Sequence, residues 1–425
     1  MRSVEEQQAR VSAAAVAPRP VRVAIAEAQG LMCAEEVVAE RPMPGFDQAA
    51  IDGYAVRSVD VYGAEAIGDS SGGPERDDGR DAAVTLPVLG TIEAGARTPT
   101  RLQPKLATRI QTGAPMPTLA DAVLPLRWTD GGNTRVRVLR GVRPGDYVRR
   151  VGDDVQPGDI AVRAGTVVGA AQVGLLAAVG RDRVLVHPRP RVSVLAVGGE
   201  LVDVNRTPGN GQVYDVDSYA LAAAARDAGA EVNRVGIVSA DPKKLREVVE
   251  GQLNRAEVVV IAGGVGGAAA EEVRAALSGL GELEVARIAM HPGSVQGFGQ
   301  LGPDGVPTFL LASNPVSALV VFEVMIRPLI RLSLGKREPM RRIVQARTLG
   351  PITSMPGRKG YLRGQLMRDD QTDEYLVQVL GGTASTSSHL LATLAEANCL
   401  VVIPEEIEQV GTGEVVDVAF LAQRG

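Results

Sequence analysis

The chain has 425 residues, of which 45% are hydrophobic, 22% charged and 3% aromatic, with a net charge of −5. That length supports several domains, the mild acidity gives no general pull toward nucleic acid or anionic lipid, and so few aromatics leave little to stack on single-stranded nucleic acid. Cys33 and Cys399 are far apart, match no metal or redox spacing, and suit a reducing cytoplasm, which is the expected location. His187, His291 and His389 are isolated, which argues against a histidine-rich metal site. The charged start "MRSVEEQQAR" does not resemble a signal peptide. No run of about 18 apolar residues predicts a membrane span.

Residues 3–16 predict a helix capped by Ser3. The stretch 21–47 then gives a short strand, a helix and an extended exit. "GDSSGGPERDDGRD" (68–81) is polar and glycine-rich and reads as a mobile loop. Short apolar runs with frequent turn signals over 84–139 favour a barrel or sandwich. A Pro-Gly-Asp turn at 144–146 recurs at 157–159, which predicts stacked hairpins over 142–168. "AAQVGLLAAVG" reads as a buried helix. From there strand and helix alternate, the pattern of a parallel sheet covered on both faces. "VPTFLLASNPVSALVVFEVMIRPLIRLSL" closes this part with a strand, a turn and a long helix. From about 335 the texture is β again, a separate small domain.

Ligands of open parallel sheets sit beyond the carboxyl ends of the strands. Three such ends stand out. They are Gly198-Gly199-Glu200, the glycine loop Gly263–Gly267, and the turn Ser313-Asn314-Pro315 leading to Ser317. Free N–H groups at helix starts suit an anion, although glycines after strands also serve plain turns. "PGFDQAAIDGYAVR" (44–57) carries the carboxylates Asp47 and Asp52. "RIQTGAPMP" (109–117) places Thr112 and Gly113 in a rigid turn. Turn chemistry accounts for both stretches as well as function does.

Taken together, in chain order, "PGFDQAAIDGYAVR", "RIQTGAPMP", "VRRVGDDVQPGDIAVRAGT", "GNGQVYDVDSYAL", "GGV", "HPG" and "NPVSA" resemble the molybdopterin molybdenumtransferase (MoeA) family, which includes the E domain of gephyrin. The resemblance runs over essentially the whole chain. It implies an elongated homodimer with a multidomain α/β-plus-β fold. Residues 1–18 and 168–334 would form the central α/β domain, with a molybdopterin-binding-like fold. Residues 19–45 and 140–167 would form a linker and dimerisation domain. Residues 46–139 would form a β-rich domain, and 335–425 a C-terminal β-domain. In active relatives the site lies between subunits. The implied reaction inserts molybdate into adenylylated molybdopterin and releases the adenylyl group with magnesium.

Carried over position by position, the resemblance implies catalytic roles for Asp52, Thr112, Glu200 and Glu271, with Asp52 and Glu200 on magnesium. It implies phosphate, molybdopterin or molybdate contacts for Gly263, Gly264, Gly266, Gly267, Ser294, Ser313, Asn314, Ser317, Arg358 and Ser388, with Arg363 also a survivor of the molybdate side. Several family residues are replaced. The Thr and Asp of "TGDEL" are Val197 and Gly199. The Ser of "GGVSVG" is gone, and both lysines of "KPGKP" are lost, leaving His291 and Ser294. Each loss removes a cation or hydroxyl that would meet an oxyanion, at about 1.5–3 kcal/mol for each charge-assisted bond.

Those losses set up two expectations. The favoured one is a gephyrin-like scaffold with weakened catalysis. It would bind a short peptide tail of a cytoskeletal, cell-division or membrane-receptor protein, such as the bacterial tubulin homologue, along Phe322, Met325, Ile326 and Pro328. Those four residues read equally as simple core. The alternative is an active molybdenum-inserting transferase, the losses being drift. No nucleic-acid partner and no membrane insertion are expected.

Overall fold

The computed structural model describes residues 1–16, 18–62, 84–98, 100–381 and 390–421. The stretch 68–81 and Ser388 lie outside the described residues. The chain divides into two compact units, Met1–Val21 with Val186–Gly425, and Arg22–Leu185. No described helix is long and apolar enough to cross a membrane.

The first unit is built on a six-stranded sheet. Its order is Glu231–Val238, Arg191–Val197, Val258–Ala262, Val306–Leu311, Val295–Leu301 and Gly281–Arg287. The first four strands are parallel, while the last two run antiparallel at one edge. The sheet is therefore mixed, not wholly parallel as expected. An antiparallel edge is a common extension of a doubly wound sheet. Val258–Ala262 and Val306–Leu311 are buried at every position, because helices cover both faces. Val258 and Val260 pack on one side with Val192, Val194, Leu221 and Phe309. Val259 and Ile261 pack on the other with Leu195, Leu245, Val273 and Leu310. This is the period of two that a pleated strand imposes.

Local chemistry sets the helix ends. Ser3 caps Val4–Ala13 through a reciprocal pair with Glu6, both bonds at 3.1 Å. Asp241 accepts from the N–H groups of Lys243 and Lys244 at the start of Pro242–Leu253. The closing helix of this α/β part runs from Pro315 to Ser333, with one π-helical segment at Phe322–Ile326. Phe322, Met325, Ile326 and Pro328 are buried in it, Phe322 and Ile326 at 0% exposure. Phe322, Met325 and Ile326 belong to the core with Leu329 and Ile330, and Pro328 is buried beside them, so these residues present no exposed peptide seam. The charged residues Glu323, Arg327 and Arg331 keep to one stripe of that helix at a spacing of four, away from these buried apolar positions.

The last domain closes on itself. Lys359–Arg368 pairs with Tyr375–Val379, then the order runs Ile343–Thr348, Val415–Phe420 and Cys399–Ile403, which pairs back onto Lys359–Arg368. The five strands form a barrel-like ring around Ala346, Leu366, Val377, Val401 and Val418. Met290–His291, from the α/β part, adds to Lys359 and Gly360 as a short parallel strand.

The Arg22–Leu185 unit holds a five-stranded sheet ordered Ala122–Pro125, Gly53–Val56, Ala107–Ile110, Thr85–Ile92 and Arg135–Arg137. Gly53–Val56 lies within it and is buried throughout. Tyr54 and Val56 face one cluster and Ala55 another. Gly53 is thus a strand glycine where a turn was read. A Cβ there would stand 2.2 Å from the Leu124 carbonyl oxygen. The 142–168 stretch does not fold into stacked hairpins. Its strands Val148–Arg149 and Ile160–Val162 pair instead with Gln48–Ala49 and Val37–Val38. The repeated Pro-Gly-Asp turns are real, with Asp146 and Asp159 accepting from the N–H groups of Arg143 and Gln156 at 2.8 and 2.7 Å. The Ala170–Ala178 helix buries only Leu176 fully, so the expected buried helix is mostly a surface one.

Candidate functional site

The three glycine and serine turns named from sequence stand at the carboxyl ends of adjacent parallel strands. Gly263 has φ of +83°, and a Cβ on it would lie 2.0 Å from the Val197 carbonyl oxygen. Only glycine fits where one strand end crosses so close to the next. Gly264 donates to the Leu311 carbonyl at 3.0 Å, which ties this loop to the strand end before Ser313. Gly266, with φ of +69°, has open space around it. Gly266, Gly267 and Ala268 are exposed, and their N–H groups donate to no group among the described residues. These are the free donors an oxyanion seeks before a helix, here Ala270–Leu277.

Neighbouring turns extend the row. A Cβ on Gly267 would be 3.8 Å from the Ser313 hydroxyl. Asn314 accepts from the Ser317 N–H at 3.0 Å and so fixes the start of the long helix. Gly293, at φ of +89°, presses on that helix; a Cβ would lie 2.3 Å from Val321 and 3.3 Å from the Ser317 carbonyl oxygen. Ser294 accepts from the Ile288 N–H at 2.7 Å through its own carbonyl. His291 is half-buried on the strand paired with Lys359 and Gly360. Burial, and then the charges of Arg358 and Arg363, hold its imidazole below the usual value. His291 is therefore neutral near pH 7 and does not replace a lost lysine as a cation. Arg358 has no acidic partner among the described residues. Arg363 is buried and donates to the Leu390 carbonyl at 2.9 Å.

The acids fall into different settings. Glu200 is exposed, with its carboxylate folded back over Gly198, whose Cβ would meet it at 2.8 Å. The Glu271 side chain is 81% exposed, 3.6 Å from Arg274. Glu272 beside it has a buried Oε2 with no partner among the described residues. In the second unit Asp52 Oδ1 accepts from the Thr112 N–H at 2.7 Å and the Thr112 hydroxyl at 2.8 Å. Those two bonds hold its carboxyl below the ordinary range, and Oδ2 remains without a partner among the described residues. Asp47 is a loop tie, accepting from the Val151 N–H at 2.8 Å. Asp52 and Glu200 belong to different units. The described residues contain no cluster of three or more His, Cys, Asp or Glu suited to a metal ion.

One group of residues was not singled out from the sequence. Asp215, 1% exposed, accepts from the Ser218 N–H at 2.9 Å and from the Ser218 hydroxyl. Arg234 donates to that hydroxyl at 3.0 Å and lies 3.7 Å from Asp215. The signal was present in "VYDVDSYAL", because Asp three residues before Ser is cap-like spacing.

Models of three domain families match the chain in order. These are the MoeA N-terminal region (domains I and II) over residues 2–180, a probable molybdopterin binding domain over 193–332, and the MoeA C-terminal region (domain IV) over 345–421. The chain is 80% identical to molybdopterin molybdenumtransferase 1 of Mycobacterium tuberculosis, over 100% of both chains. It is 37% identical to molybdopterin molybdenumtransferase 2 of the same organism, over 98% of this chain and 99% of that one. Among solved structures, a molybdopterin biosynthesis MoeA protein from Pyrococcus horikosii superposes with a TM-score of 0.80 at 29% identity, covering 99% of each chain.

Proposed function

The chain belongs to the MoeA family, and on that premise we propose that it is a cytoplasmic molybdopterin molybdenumtransferase, a homodimer that inserts molybdate into adenylylated molybdopterin. One observation carries the reading. The unpaired N–H groups of Gly266, Gly267 and Ala268 stand at the end of a parallel sheet, in a row with Ser313, Ser317, Ser294 and the His291 turn beside Arg358 and Arg363. Backbone donors and guanidinium groups bind an oxyanion without a lysine. The lost lysines are then drift within a site that retains its anion donors. The peptide-scaffold reading loses ground, because its seam at Phe322, Met325, Ile326 and Pro328 is core and the relatives named above are transferases.

In this reading the glycine loop binds phosphate, Arg358 and Arg363 draw molybdate, and Ser313, Asn314 and Ser317 orient the pterin side. Thr112 keeps Asp52 ionised with Oδ2 open. Asp52 and Glu200 are the carboxylates that would hold magnesium, whose chemistry when bound is to neutralise the pyrophosphate charge. The test is complementation of a strain lacking its molybdenum insertase, with purified protein assayed for molybdate-dependent release of the adenylyl group. Restored molybdoenzyme activity is expected. A folded protein that restores none and releases no adenylyl group overturns the proposal.

A further inference from the structure

The Asp217–Ala228 helix starts without a side-chain cap from its own N-cap residue, Val216. Asp215 supplies one instead through Ser218. Arg234, reaching in from Glu231–Val238, serves several groups at once. It bonds the Ser218 hydroxyl, lies 3.7 Å from Asp215 Oδ2, and reaches Asp203 Oδ2 at 3.5 Å. Its guanidinium also sits 3.8 Å from the Tyr219 ring centre, while the Tyr219 hydroxyl donates to Asp203 at 3.0 Å. Asp203 follows the short strand Leu201–Val202, which pairs with Val213–Tyr214 and is preceded by Glu200. One guanidinium therefore fastens the loop that carries Glu200 by matching two carboxylates, Asp203 and Asp215.

Asp217 is a third carboxyl in the same place. It is 7% exposed, and its Oδ1 is buried with no hydrogen-bond partner among the described residues. A carboxylate so placed would be an unpaired buried charge beside Asp215. We propose that Asp217 is held as a neutral acid and acts as a positioning residue: its proton keeps Arg234 matched to Asp203 and Asp215, and losing that proton loosens the loop bearing Glu200.

The charges around Asp217 agree with this. Its own turn brings Asp215, whose charge bears on it, and Asp215 in turn meets Arg234 of Glu231–Val238, which also reaches Asp203. Pro315–Val321, packed on the same helix, carries no titratable side chain. Arg191, on Arg191–Val197, is paired with Glu257. Arg327, on Arg327–Ser333, answers to Glu323, Arg341 and Asp227 instead, and Arg331 lies beside it. A helix start favours an anion, yet burial first, and then the Asp215 charge, push the Asp217 carboxyl up to about 7.

The role of Glu200 in this inference rests on the transferase reading, but the test needs no substrate. Amide hydrogen exchange over residues 198–219, corrected for intrinsic rates, is compared at about pH 6 and about pH 8.5 in wild type and Asp217→Asn; wild type should exchange faster at the higher pH, by up to about tenfold. Asn keeps the shape and cannot ionise, so the variant should show no such rise. The magnesium concentration giving half-maximal activity should climb above pH 7 in wild type and stay level in the variant. Equal exchange profiles in the two proteins overturn the proposal, whatever the activity. If exchange behaves as expected while neither protein releases adenylyl groups, the transferase reading fails and the positioning role stands.

Discussion

Gly53→Ala is the sharpest probe of how the sequence builds the Asp52 site. A methyl group at Gly53 would stand 2.2 Å from the Leu124 carbonyl oxygen and 2.9 Å from Val123 Cγ1. Both belong to the adjacent strand, where Gly53 pairs with Pro125, and on the other side Gly53 pairs with Ile110. An ordinary carbon–oxygen contact needs over 1 Å more, so neighbouring strands must part, and overpacking of this kind costs about 3 kcal/mol. For a unit the size of Arg22–Leu185 that is a fall in melting temperature of about 6–12 °C. The single tryptophan of the chain, Trp128, lies in this unit, so its fluorescence reports on that transition alone. Gly45→Ala is the control, since its Cβ would meet nothing nearer than 3.8 Å. Because Asp52 precedes Gly53, the Thr112 bonds should slacken as well, with loss of adenylyl release at temperatures where the protein is still folded. A Trp128 transition within about 0.5 kcal/mol of wild type would refute the close-approach argument.

Thr112→Val removes the hydroxyl donor to Asp52 and leaves the N–H. The Asp52 carboxyl, now depressed, should rise toward its ordinary value by carboxyl NMR. A depressed carboxyl contributes stability above its unfolded pKa and loses it as pH falls, so the acid limb of activity should move to higher pH. His291 should titrate below free imidazole, and Arg358→Gln should raise that value, both read by NMR. Its folded imidazole is neutral, so wild type should lose stability as pH falls through the unfolded histidine value, less steeply in Arg358→Gln. Phe322→Ala should destabilise the first unit by about 3–5 kcal/mol in chemical denaturation, the cost of a core cavity; an unchanged midpoint would contradict the burial of Phe322.

Much of the sheet was legible because its strands are unbroken apolar runs. Val258–Ala262 and Val306–Leu311 can only be buried on both faces, and the loops after them are where ligands sit. The Ser3 cap and the Pro-Gly-Asp turns were legible because their partners lie within three residues. What escaped depends on partners distant in sequence. Asp52-Gly53 has the letters of a turn, and only Leu124 makes it a strand. Asp215, three residues before Ser218, has only the spacing of a cap in sequence, and Arg234 makes it the centre of a charge network. The seam at Phe322 was a misreading that period alone could have prevented, since Glu323, Arg327 and Arg331 mark the polar stripe of that helix and Phe322, Met325 and Ile326 fall off it. The losses at 291 and 294 were legible as letters, whereas the free N–H groups of Gly266, Gly267 and Ala268 belong to backbone.

The short pairing of Met290–His291 with Lys359–Gly360 bears on modularity. The turn bearing His291 and Ser294 issues from one domain yet is stitched into the rim of the next. The last domain is thus no cargo that a gene fusion could trade or a truncation could spare. Cutting the chain near residue 335 would strip a strand partner from the turn that bears His291 and Ser294. Any lineage that reshapes the barrel must therefore do so around two fixed rungs.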